Sequence, residues 1–70
     1  MRMLAEILDD GGKIKLLDGS TWRIDPGDIS SVRTWTPAIK IEVVLRDTQA
    51  RFGYQLINRN IDASAKATRV

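Results

Sequence analysis

The 70-residue chain contains no cysteine and no histidine. Disulfide staples are therefore excluded, and so are the thiolate and imidazole ligands of ordinary zinc sites. Most nucleophile–base pairs go with them, leaving serine with lysine or a pair of carboxylates. Aromatic residues make up only 6% of the chain, and prolines number two. No apolar run approaches the roughly 20 residues of a membrane-spanning helix. The opening MRMLAEILDD carries Glu6, Asp9 and Asp10, so it lacks the apolar centre of a secretory signal. A cytoplasmic location is the default expectation, with a trimmed exported domain as the alternative.

What is present fits one small folded domain spanning residues 1–70. Hydrophobic residues are 43% and charged residues 29%, a balance typical of a folded chain rather than a disordered one. A domain this small buries only about 60% of the surface its unfolded form exposes. Each large side chain therefore carries a large share of the core. The net charge of +2 is modest but uneven. Residues 1–32 hold four basic and six acidic side chains, and residues 33–70 hold seven basic and three acidic. That leaves room for a basic face.

Period-two alternation runs through most of the chain. Met3, Ala5 and Ile7 share one parity, and Leu4, Glu6 and Leu8 the other. Asp9-Asp10-Gly11-Gly12 follows as a turn. Ile14 and Leu16 then face one way, with Lys13, Lys15 and Leu17 opposed. Asp18-Gly19 between two alternating runs predicts a hairpin with a type I′ turn. The returning strand puts Trp22 and Ile24 on one side. Asp25-Pro26-Gly27-Asp28 reads as a capped helical turn, with Asp25 as N-cap, Pro26 at the first position and Asp28 as a capping-box partner. Ile29 and Val32 would face the core from that turn.

Thr36-Pro37 returns the chain to an extended conformation. Ile39, Ile41, Val43 and Leu45 line one face of the best strand in the sequence. Phe52, Tyr54 and Leu56 line one face of the next, and Gly53 between the two aromatics marks a bend or bulge. Asn58-Arg59-Asn60 is a turn. The alanine-rich end alternates as a short closing strand, although alanine is a poor strand former and a helical turn competes there. Five to six short strands with one helical turn predict an all-β, small antiparallel SH3-like barrel. An OB-like barrel is the alternative.

The stretch from Asp18 to Trp35 resembles a group of small bacterial single-domain proteins of unassigned function. The residues that carry the resemblance are Asp18, Gly19, Ser20, Trp22, Ile24, Pro26, Asp28 and Trp35, with Tyr54, Leu56, Ile57 and Asn58 later on. The resemblance implies a small β-barrel and supplies no function. In place of a Gly-Asp pair after the second tryptophan, this chain has Thr36-Pro37-Ala38.

Searched for chemistry, the sequence offers no catalytic constellation, and a non-enzymatic protein is expected. The aspartates fall at turns, where they bond to local backbone. No spacing matches a calcium loop, so no metal and no cofactor are expected. Trp22 shares parity with Ile24 and reads as core. Trp35, between Thr34 and Thr36, reads as partly exposed. The candidate binding surface is therefore Trp35 with Arg33, Lys40, Arg51 and Tyr54, facing a protein or peptide partner. The alternative is a single-stranded nucleic-acid-binding barrel, where bases stack on aromatics among cations. Exposed edge strands would also permit a homodimer. No membrane contact is expected.

Overall fold

A computed structural model describes residues 2–70. The strands are β1 (Arg2–Leu8), β2 (Lys13–Leu16), β3 (Thr21–Ile24), β4 (Lys40–Leu45), β5 (Tyr54–Asn58) and β6 (Ala63–Arg69). All pairings are antiparallel, and the strands close into a barrel in the order β1-β2-β3-β6-β5-β4. A 3₁₀ turn (Pro26–Asp28) runs directly into a one-turn helix α1 (Ile29–Val32) between β3 and β4. This is the small all-β barrel, SH3-like or OB-like in kind, that the alternation predicts. No described helix is long and apolar enough to cross a membrane.

The interior holds Leu4, Ile14, Leu16, Trp22, Ile24, Val32, Trp35, Ile39, Ile41 and Leu56, with Ala65 and Ala67. The alanines settle the question of the C-terminal segment. Ala65 lies opposite Leu56, and Ala67 sits between Ile24 and Tyr54. Small residues on β6 leave the volume of a narrow barrel to Trp22 and its neighbours, so packing overrides weak strand propensity.

Three local expectations are corrected. In β1 the register jumps between Leu4↔Leu16 and Glu6↔Lys15, a bulge that absorbs Ala5. The simple alternation is thereby broken, so Leu4 is buried and Ile7 packs on the core from what had been the opposite parity. The β2–β3 turn is not type I′, because only Gly19 has a positive φ, of 91°. Gly19 N donates to Leu16 O, and Leu16 N to Ser20 O, giving a three-residue loop. Asp18 supplies the reason: its carboxylate accepts from Ser20 N at 2.9 Å, which fixes an Asx-type turn.

The third correction concerns Asp28. Asp25 caps as predicted, accepting from Gly27 N at 3.0 Å, with Pro26 in the first turn. Asp28 does not complete a capping box. Its carboxylate reaches across to the backbone N–H of Lys66 on β6, at 2.9 Å. A side chain read as local chemistry thus pins the helical turn to the barrel wall.

Ahead of β2, Asp9, Asp10 and Gly11 are all left-handed, with φ of 49°, 58° and 101°. Gly11 is required there, since a Cβ would collide with the Arg33 side chain and the Ile29 carbonyl.

Candidate functional site

Both tryptophans are structural. Trp22 is 2% exposed and Trp35 only 3%. The expectation that Trp35 is partly exposed is therefore wrong. Its neighbours Thr34, Thr36 and Pro37 do lie outside. The turn that continues α1, with Trp35 N donating to Val32 O at 2.9 Å, carries the ring inward into the core cluster. Its indole Nε1 is buried without a hydrogen-bond partner.

The Trp22 indole, by contrast, is fully served. Its Nε1 donates to Ser20 Oγ at 2.9 Å, and Ser20 Oγ donates to Asp18 Oδ1 at 2.5 Å. Arg2 Nε lies 3.1 Å from Asp18 Oδ2 and closes the chain. The Ser20 hydroxyl and then the Ser20 amide hold the Asp18 carboxyl below the usual aspartate range, with smaller help from Arg2 and Arg69. The Asp-Gly-Ser-x-Trp pattern is thus a staple for a core indole.

The other predicted surface residues do not converge. Arg33 is exposed on the α1 side, 3.8 Å from Asp10. Lys40 is exposed at the β1–β4 seam, opposite Met3. Tyr54 pairs with Leu45 at the other end of β4, roughly 17 Å away along the strand. Only Tyr54 and Arg51 come together. Tyr54 packs edge-on against Trp22, with ring centroids 5.0 Å apart. Arg51 sits over the Phe52 ring at 5.4 Å.

Tyr54 lines an open groove of about 370 Å³ between the β4–β5 loop and β6, which Arg51 does not reach. Ala50, Phe52, Tyr54 and Ala65 give it an apolar lining, and Arg46, Asp47, Gln55, Ser64, Lys66 and Asp28 supply the polar positions. A shallower cavity of about 270 Å³, lined by Leu45, Thr48, Arg51 and Thr68, shares Tyr54 and Gly53 with it. Gly53 shapes both. Its carbonyl accepts from Arg46 N at 2.8 Å and Asp47 N at 3.1 Å, two residues against one, which is the bulge its sequence position predicts. A Cβ on Gly53 would run into the Asp47 carbonyl oxygen.

The polar positions are pre-arranged. Arg46 Nε donates to Gln55 Oε1 at 2.7 Å, and Gln55 Nε2 donates to Ser64 Oγ at 2.9 Å. Gln55 is thereby held between two strands, with an Arg46 guanidinium left able to donate further. Sequence reasoning missed Arg46, Gln55, Ser64 and Lys66. The usable signal was their outward parity, but only the β5–β6 register, with Gln55↔Lys66 and Ile57↔Ser64, makes them neighbours. Among the described residues no three carboxylates cluster as a metal site would require. Comparison with protein-family models, curated proteins and solved structures finds no match to this chain.

Proposed function

We propose that the chain is a non-enzymatic interaction module that binds an extended protein or peptide segment in the groove between the β4–β5 loop and β6. The observation that carries this reading is the groove itself: an aromatic and alanine lining, about 370 Å³ in volume, with pre-oriented hydrogen-bonding groups beside it. An extended chain has alternating apolar side chains and free backbone groups, which suit such a surface. A cytoplasmic setting and membership of the small bacterial group that shares the Asp-Gly-Ser-x-Trp pattern belong to the same proposal.

A single-stranded nucleic acid is the second reading, favoured by Arg46, Arg51 and Lys66 around Phe52 and Tyr54. Asp28 and Asp47 line the same groove and offset two of those cations, so peptide comes first.

Selection from a random peptide library, followed by calorimetric titration, tests the proposal. Tyr54→Ala should weaken the selected peptide by about tenfold or more, as loss of an aromatic anchor does. Lys40→Ala, at the far end of β4, should leave affinity unchanged. If random oligonucleotides at low salt bind the groove and no peptide does, the nucleic-acid reading replaces this one.

A further inference from the structure

Three arginines of the chain, Arg2, Arg33 and Arg59, are each paired with a carboxylate. Arg46 is held differently. Its Nε donates to the neutral amide oxygen of Gln55 at 2.7 Å, and among the described residues it has no carboxylate within ion-pair distance. A carboxylate at position 55 would fix this side chain and neutralise it together. The amide fixes it and leaves the charge. Gln55 is itself held at its other end, where Nε2 donates to Ser64 Oγ at 2.9 Å. The relay runs from β4 over β5 to β6, on the side of β4 away from β1. With Nε committed, the two terminal guanidinium nitrogens remain as an end-on fork, the geometry that matches a carboxylate. Lys66 lies directly across from Gln55 on β6 and also lacks an ion-pair partner among the described residues. The two acids of the groove are turned to backbone amides. Asp47 Oδ1 accepts from Gln49 N at 2.9 Å, and Asp28 Oδ2 from Lys66 N at 2.9 Å.

We propose that the partner segment carries an aspartate or glutamate whose side-chain carboxylate seats on the Arg46 fork. This rests on the reading of the groove as a peptide site and names the chemistry of its occupant. Arg46 makes the contact, and Lys66 adds a second positive charge beside it. Gln55 and Ser64 are positioning residues, acting through Arg46 by holding its guanidinium before the partner arrives. A fork fixed in advance loses less side-chain freedom on binding than a free arginine does. Ala50, Phe52 and Tyr54 take a neighbouring apolar side chain of the same segment. A single carboxylate is the fit. Asp28 and Asp47 bound the groove, and their charges oppose a run of phosphates or of acidic residues.

A random peptide library with acetylated N-termini and amidated C-termini, so that side chains supply the only carboxylates, tests it. Selected peptides should carry an acidic residue. Each is then titrated beside a counterpart with that Glu or Asp changed to Gln or Asn, and the affinity ratio of the two is the readout. The ratio should be about tenfold for the unaltered protein. Arg46→Gln should bring it close to one, leaving the neutral counterpart's affinity unchanged. Gln55→Glu keeps the shape of the relay but neutralises the fork, and should also bring the ratio close to one. Ser64→Ala frees Gln55 and should lower the ratio by about threefold, which a purely structural role would not do. Tyr54→Ala reads the groove separately and should weaken both peptides alike. A ratio near one, or one indifferent to Arg46→Gln and Gln55→Glu, overturns the carboxylate site, and the groove reading stands if Tyr54→Ala still weakens binding. A tenfold ratio in a protein indifferent to Tyr54→Ala supports the carboxylate site and removes the groove. A library that yields no peptide, with random oligonucleotides binding instead, overturns both.

Discussion

Ser20 stands between a buried indole and a surface carboxylate, and its removal isolates the indole. Ser20→Ala leaves Trp22 Nε1 in the core with no acceptor, which costs about 1–3 kcal/mol in a denaturant titration. The same network sets an acid dependence. The folded Asp18 carboxyl titrates below its unfolded value, so on acidification the unfolded chain takes the proton first. Its stabilisation is complete above the ordinary aspartate pKa and is lost as pH falls through the lowered folded one. Asp18→Asn should flatten that part of the stability–pH curve, and an unchanged slope would remove Asp18 from the account. Trp35 is the opposite case, since its Nε1 already has no partner. Trp22→Phe should therefore destabilise by at least about 1 kcal/mol more than Trp35→Phe. Acrylamide should quench the tryptophan remaining in each variant equally poorly. Ala38 holds φ of 73° in the turn after Pro37, where glycine is at ease. Ala38→Gly should raise stability by about 0.5–1 kcal/mol, the relief of left-handed strain less the added freedom of the unfolded chain.

At the scale of elements, the legible features were those whose cause is local. Asp25-Pro26 and the alternation from Ile39 to Leu45 each carry their own physical reason and produce a cap and a strand, though Leu45 ends that strand half exposed. Asp18-Gly19 turns the chain, but through a three-residue loop rather than a type I′ turn. The features that escaped have causes elsewhere in the chain. Ala5 is bulged because β1 must match β2 and β4 together. Asp28 leaves its own turn because a β6 amide lies within reach. The polar neighbours of Trp35 are exposed while the ring is buried, a direction set by the tertiary path rather than by the local sequence. Of the predicted surface residues only Tyr54 lines the groove, since Gln55, Ser64 and Lys66 become neighbours through strand register alone. Gly53 joins the two kinds of feature, being visible in sequence and needed for tertiary packing. Gly53→Ala forces the β4–β5 loop off β5 and should cost about 1–3 kcal/mol by thermal denaturation, as overpacking does.

For the whole molecule, one fact organises the proposed function. A barrel that commits both tryptophans to its core has only the β4–β6 side left for an aromatic groove, with Tyr54 bridging the two through its contact with Trp22. Among the described residues the β1–β4 pairing is the shortest in the barrel, and the amides of Leu4 and Ala38 should exchange ahead of those in the β4–β5 ladder. The most direct test of the account is an NMR titration of the ¹⁵N-labelled protein with a library-selected peptide. The account predicts shift changes confined to Phe52–Gln55, Ser64–Lys66 and the Arg46 and Asp47 amides, with the Trp35 indole resonance unmoved. Changes centred on Arg33, Lys40 and the Trp35 indole, with the groove silent, would contradict it.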